Sequence, residues 1–275
     1  MANFSVADVK ALREQLGTGM VDTKNALVEA DGDIEKAIEI LRLKGAKGNA
    51  KRADRSTSEG LVAARATDGK AWLIELACET DFVAKNDKFV ALGDGVLEAI
   101  IKAGATDLES ALAAPAATKT VAEVIDDQAA VIGEKIVLRR VAFVEGENFS
   151  IYLHKTSKDL PPQVGVVVAF TGSDEETARS IAQHISFAAP EFLTREQVPA
   201  EAVENERRIV EEISRNEGKP EAMLPKIVEG RLGAFYKQVV LLEQDYAKDN
   251  SQNVAKVAQA AGIAVTGFAR FKVGA

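Results

Sequence analysis

Glu79-Thr80-Asp81-Phe82-Val83-Ala84-Lys85-Asn86 separates two patterns in the chain. Before it, Trp72, Ile74, Leu76 and Cys78 fall at every second position, which puts them on one face of a strand. After it, Phe89, Val90, Val96, Leu97, Ile100 and Ile101 recur at helical spacing. The eight residues therefore form a strand-to-helix turn. Asp81 and Phe82 stand side by side at its tip, where a strand end presents side chains outward. Two readings fit these residue types. Thr80 or Asp81 caps the helix by accepting a backbone N–H while Phe82 folds into the core, or Phe82 stays exposed as a wedge; an acidic cap is compatible with either.

Upstream of the turn, segments Gly60 to Thr67 and Lys70 to Cys78 flank Asp68-Gly69. This is the pattern of a β-hairpin closed by a type I′ turn, which needs positive φ at both central residues. Nearer the N-terminus, Ser5 is placed to cap a helix from Val6 to Leu16 with Val9, Leu12 and Leu16 on one stripe. Gly17 stops it. Met20 to Ala30 reads as a second helix, and Asp33 to Leu43 as a third that ends before Gly45. Lys44, Lys47, Lys51, Arg52 and Arg55 then crowd a Gly-, Ala- and Ser-rich stretch that reads as a flexible basic linker.

Downstream, a short helix near Leu108 to Ala113 and a longer one from Val121 to Ile132 follow, the latter behind a capping box of Thr120 and Glu123. Ile136 to Val144 reads as a strand opening a second sheet, continued by Phe149, Ile151, Leu153 and the apolar run Gly165 to Phe170. Ser173 and Glu176 suggest another capping box before the helix that carries Ile181 and Ile185. From Pro190 to Asp249 the pattern is helical and charged around a Gly218-Lys219-Pro220 turn, as in an antiparallel helical hairpin. Ser251 is placed to open a short helix ending at Gly262, and the alternation from Ile263 to Val273 makes a final strand. The expected class is α+β: a three-helix unit with its basic linker (1–54), a first core subdomain (55–140), a second with a small antiparallel sheet (141–190 and 245–275), and a helical hairpin inserted into the second (191–244).

Thr80-Asp81-Phe82-Val83-Ala84-Lys85-Asn86 resembles the signature of elongation factor Ts, the guanine-nucleotide exchange factor of bacterial and organellar elongation factor Tu. The resemblance runs nearly end to end, through Glu134-Lys135-Ile136-Val137-Leu138-Arg139-Arg140-Val141 and Val265-Thr266-Gly267-Phe268-Ala269-Arg270-Phe271. It also covers Leu16 to Lys24, similar to the family's N-terminal ubiquitin-associated-like domain, which touches a helix of the partner's nucleotide domain. The resemblance implies that Thr80, Asp81, Phe82 and Val83 reach the partner's Mg²⁺ site. It further implies that Leu12, Met20 and Val21 contact the partner from the N-terminal unit and His154 from the second subdomain. Val21 replaces a second long flexible residue, and Asn25 stands where lysine is common. Two further departures from the family pattern are expected: a longer loop from Lys155 to Gln163 with Pro161-Pro162, and a last strand without the C-terminal helix of some relatives.

Composition narrows the alternatives. The 275 residues are 47% hydrophobic, enough for more than one folding unit. Charged residues begin at Asp8 with no signal-peptide core before them, and no apolar run reaches spanning length, so a cytoplasmic protein is expected. A net charge of −8 argues against broad nucleic-acid binding, leaving the 44–55 segment as the basis of an alternative RNA- or ribosome-associated role. The lone Cys78 makes no internal disulfide, and two isolated histidines, His154 and His184, give neither a zinc site nor a triad. Paired carboxylates such as Glu75 and Glu79 offer a third, enzymatic reading. Neither a Walker-type loop nor GxGxxG opens a helix, so direct nucleotide binding is not expected. The expectation is an exchange factor without covalent catalysis, metal or cofactor. It binds elongation factor Tu in its GDP-bound and nucleotide-free forms, and a dimer of heterodimers is compatible with this reading.

Overall fold

A computed structural model describes residues 3–275; Met1 and Ala2, where the expected leaderless start begins, lie outside the described residues. The first three helices are α1 (Val6–Leu16), α2 (Met20–Glu29) and α3 (Ile34–Lys51). Ser5 and Asp8 close a capping box at the start of α1, and Asp33 caps α3 by accepting from the Lys36 N–H. Val9, Leu12, Ala26, Leu27, Ala37 and Leu41 fill the small core between the three.

The first sheet follows. Strands β1 (Glu59–Thr67) and β2 (Lys70–Cys78) form the expected hairpin, but only Gly69 has positive φ (75°) at its turn. Asp68 does not, so the turn is not type I′. Then come α4 (Asp81–Ala84), α5 (Asp87–Ala103) and α6 (Leu108–Ala113), a small unanticipated hairpin of β3 (Pro115–Ala116) and β4 (Lys119–Thr120), α7 (Val121–Ile132) and β5 (Val137–Glu145). The strand order is β1-β2-β5. The strand read as opening a second sheet instead completes the first, pairing antiparallel with β2 from Lys70↔Glu145 to Ala77↔Val137.

That pairing makes β2 a central strand buried on both faces. Trp72, Ile74, Leu76 and Cys78 pack among Phe89, Val96, Leu97 and Ile100 of α5 and Val121, Ile125 and Ala129 of α7. Burying a side chain such as Phe89 or Ile100 contributes about 1.5–3 kcal/mol. The Trp72 indole N–H donates to the Ala105 carbonyl at 2.7 Å, so the ring is buried without an unpaired donor.

The second sheet unit runs through β6 (Asn148–His154), β7 (Val164–Thr171), α8 (Glu175–Ala188), the helical pair α9 (Ala200–Asn216) and α10 (Leu224–Val239), a separate hairpin of β8 (Asp245–Tyr246) and β9 (Asp249–Asn253), α11 (Val254–Ala260) and β10 (Ala264–Lys272), with β6, β7 and β10 as its sheet. Its order is β10-β7-β6. Two caps differ from expectation. Asp174, not Ser173, caps α8 by accepting from the Thr177 N–H at 2.9 Å, and Asn253, not Ser251, caps α11. In each case the side chain sits three residues before the N–H it satisfies.

The two sheets face each other. Val62, Ala71, Leu73 and Val167 are buried between them, with Phe149, Ile151 and Phe271 packed around. Beside this layer Glu75 is fully buried; its carboxylate pairs with Arg140 and Arg139 and accepts the Gly274 N–H at 3.3 Å. Arg140 also donates to the Lys272 carbonyl, so the last strand is tied to the first sheet.

Helix α3 does not end before Gly45. It runs on to Lys51 along α7, where a Cβ on Gly45 would lie 2.9 Å from that of Ala130. Asn49 donates to the Asp126 carbonyl at 2.8 Å and Arg52 to that of Ala129 at 3.3 Å. The glycine permits close helix approach instead of breaking the helix, and the supposed flexible linker is ordered helix as far as Lys51.

Candidate functional site

The turn after β2 is a single helical turn held from outside. Thr80, with extended φ and ψ (−126° and 156°), caps α4: its hydroxyl accepts from the Val83 N–H at 3.4 Å. The cap is thus Thr80, and Asp81 is the first residue inside the helix. Ala84 is fully buried and Val83 packs partly into the core, so the helix is seated on its inner side. Phe82 points the other way and is 74% exposed. Between the two readings of its side chain, the exposed one holds.

Lys85 fixes the outer surface of the turn. Its ammonium lies 3.0 Å from the Asp81 carboxylate and 4.6 Å from the centroid of the Phe82 ring, a cation–π geometry. Asn86 starts the next helix by accepting from the Lys88 N–H at 2.9 Å.

The root of the turn is braced by residues 24 to 56 positions away in sequence. The Glu134 carboxylate accepts from the Thr80 hydroxyl at 2.6 Å and the Thr80 N–H at 3.1 Å. The Glu79 carboxylate accepts from the Lys135 N–H at 2.6 Å and from Arg55 at 3.2 Å. Sequence reasoning missed Arg55, Glu134 and Lys135 as parts of the site. Glu134 and Lys135 follow Gly133, which ends α7, and only the β2–β5 pairing brings them to the turn. Below them Cys78 is buried, and desolvation, with Glu134 nearby, pushes its thiol up to about 12. It is a core thiol, not a nucleophile.

The other predicted positions are scattered. Met20 and Val21 are 48% and 70% exposed at the start of α2. Leu12 is 2% exposed, inside the core of the first three helices. Its place on one stripe with Val9 makes it a packing residue, correcting the reading of it as a surface contact. His154 is exposed at the end of β6, 3.0 Å from the Tyr152 hydroxyl. His184 is buried: its Nδ1 accepts from the Ala247 N–H at 3.2 Å and its Nε2 donates to Gln244 at 2.9 Å. Burial holds its pKa below the usual histidine value.

The competing chemistries find little support in this geometry. Glu75 is engaged by Arg139 and Arg140, and Glu79 by Arg55 and Lys135, so the carboxylates do not converge. In the basic segment, Lys44 pairs with Asp22, Arg55 with Glu79, and Arg52 bonds to a backbone carbonyl. Among the described residues no group of three or more His, Cys, Asp or Glu is arranged to hold a metal, and no helix is long and apolar enough to cross a membrane. A cleft of about 1000 Å³ opens where α1 and α3 face α5 and α7; none of residues 79–86 lines it.

The family model described as Elongation factor TS matches residues 79–275, beginning at the root of the turn. The chain belongs to the elongation factor Ts family. Family members covered end to end by this chain include the elongation factor Ts of Clavibacter michiganensis subsp. michiganensis (73% identical over 275 residues), that of Leifsonia xyli subsp. xyli (74% over 276) and that of Micrococcus luteus (57% over 277). Each alignment spans 100% of both chains, so the relatives also extend over the three N-terminal helices that precede the family match.

Proposed function

We propose that the chain binds elongation factor Tu and promotes exchange of GDP for GTP by disturbing the Mg²⁺ and phosphate site, remaining bound until GTP enters. Phe82 carries this reading: a large apolar side chain held in solvent at the tip of a braced turn. Leaving a phenylalanine in water forgoes about 1.5–3 kcal/mol that burial would supply, and a pocket on the partner recovers it. Asp81 beside it brings negative charge toward phosphates and competes for the cation's surroundings.

Mg²⁺ in such a GTPase requires near-ideal octahedral geometry, so a small displacement of its ligands weakens both ion and nucleotide. Each tenfold loss of GDP affinity needs about 1.4 kcal/mol of differential binding by the factor. Linkage makes the effect reciprocal: bound GDP weakens the factor as much as the factor weakens GDP. Met20, Val21 and His154 are the proposed anchoring contacts, while Thr80 and Val83 hold the turn from which Phe82 projects. The factor performs no covalent step and does not bind the nucleotide itself. Its partner is elongation factor Tu, GDP-bound or nucleotide-free, and its place is the cytoplasm.

Stopped-flow release of a fluorescent GDP from elongation factor Tu tests the proposal. Substoichiometric amounts of the chain should accelerate release, with the effect reduced by excess Mg²⁺. An unchanged release rate at saturating chain contradicts it.

A further inference from the structure

A four-residue helix has no stability of its own, because nucleating one turn fixes several dihedrals for few hydrogen bonds. The attitude of Phe82 on α4 is therefore set by whatever holds that turn. Ala84 seats it from below, and Glu134 bonds Thr80 at both N–H and hydroxyl. Lys135 bonds in two directions. Its N–H donates to Glu79, while its ammonium donates to the Ala53 and Arg55 carbonyls of the segment leading in from α3. Arg55 closes the loop on Glu79. Helix α7, which ends just before these two residues, also carries α3 along its side through Gly45 and Asn49.

We infer that Glu134 and Lys135 are positioning residues for nucleotide exchange: Glu134 holds the Phe82 turn rigid, and Lys135 ties it to the three N-terminal helices, so that the two contact surfaces meet the partner in a fixed relation. This rests on the reading of Phe82 as the group that drives release. Charge-assisted bonds from one carboxylate to two donors on one residue restrict that residue more than a single neutral bond does. Fixing two contact surfaces on one body raises the effective concentration of the second once the first is seated. The two residues thus act on different quantities, Glu134 on the release rate within the complex and Lys135 on the concentration needed to form it.

The test uses the full chain with elongation factor Tu carrying fluorescent GDP, and reads release rate against factor concentration. Glu134→Ala should lower the saturating rate about tenfold, the worth of one charge-assisted hydrogen bond, with the half-saturating concentration moved less than about threefold. Glu134→Gln, which keeps an acceptor oxygen, should fall between it and the unmodified chain. Lys135→Met spares the backbone bond to Glu79 and should raise the half-saturating concentration at an unchanged saturating rate. Amide exchange at Val83 and Ala84 should quicken in Glu134→Ala while the melting temperature of the whole chain holds. A normal saturating rate in both Glu134 variants, beside a slow Phe82→Ala, overturns the role of Glu134. Unchanged half-saturation in Lys135→Met overturns the tie. If Phe82→Ala itself releases GDP at the normal rate, the reading of Phe82 fails, and unaltered amide exchange in Glu134→Ala then removes the brace as well.

Discussion

The two sheet units are built alike and hold their projections differently. Each is a three-stranded antiparallel sheet with helices on its outer face, and the two sheets share one apolar layer. The first projects a short turn braced by the charged groups Glu134, Glu79 and Arg55. The second projects the α9–α10 hairpin, whose base holds a buried neutral network, His184 with Gln244 and the Ala247 N–H, Ser180 with the Tyr246 hydroxyl, and Gln244 with the Gln238 carbonyl, flanked by the more exposed ion pairs Arg195–Glu243 and Lys237–Asp245. A charge-assisted brace at a half-exposed site fixes a small element in one attitude. The neutral, buried network joins a large element that already has its own seam of Val210, Val228 and Leu232.

The strongest blow to both units at once should come from Glu75→Ala. It removes a fully buried carboxylate shared by two arginines and the Gly274 N–H. Breaking a buried pair costs 3–5 kcal/mol, and because both arginines are about a third exposed and regain water, about 3 kcal/mol is expected. Denaturant unfolding should show one shifted transition. Two separate transitions would mean that the sheets fold independently.

Removing residues 1–54 asks whether the brace survives without the helices that precede it. The remaining core should fold and bind elongation factor Tu at least about tenfold more weakly, near 1.4 kcal/mol by titration. A core that unfolds on truncation would remove the boundary.

Lowering the pH should act on the second unit. The pKa of His184 is held below its ordinary 6.5 by burial, so between the folded and unfolded values only the unfolded chain takes up the proton. Stability is therefore full above pH 6.5 and falls as pH drops through this window, by at most about 1.4 kcal/mol per pH unit. Thermal melts at stepped pH should show the decline, and His184→Gln should flatten it.

The smallest effect is expected from replacing about residues 200–240 with a short Gly-Ser bridge, since a hairpin with its own seam need not support the turn. GDP release should stay within about twofold of the unmodified rate. Loss of exchange in a folded chain would make the hairpin part of the mechanism.

Local signals in the sequence located elements better than they fixed details: the caps of α8 and α11 fall one and two residues past the expected serines, and the β1–β2 turn is not type I′. The alternation from Trp72 to Cys78 marked a core face, and Thr120 with Glu123 marked a helix start, because each depends on neighbours within a few residues. Long-range pairing was hidden. Nothing local in Val137 to Glu145 tells which sheet it joins, and the pairing with β2 decides it. Gly45 read as a stop because a glycine's partner across a helix contact leaves no mark in the sequence. The same holds at the site, where Asp81 and Phe82 stood out by type but Glu134, 54 residues from Thr80, did not. At Leu12 two signals pulled apart: the stripe shared with Val9 and Leu16 fits a core residue, the family resemblance made it a contact, and the side chain is buried.

The central claim is that Phe82 drives release while Met20 and Val21 anchor. The direct test is the concentration dependence of fluorescent GDP release from elongation factor Tu for Phe82→Ala beside the double substitution Met20→Ala and Val21→Ala. Phe82→Ala should cut the saturating rate about thirtyfold, equivalent to a hot spot of about 2 kcal/mol, with modest change in half-saturation; the double substitution should raise half-saturation and leave the saturating rate intact. A Phe82→Ala chain that is folded, binds, and releases GDP at the unmodified saturating rate would contradict the account.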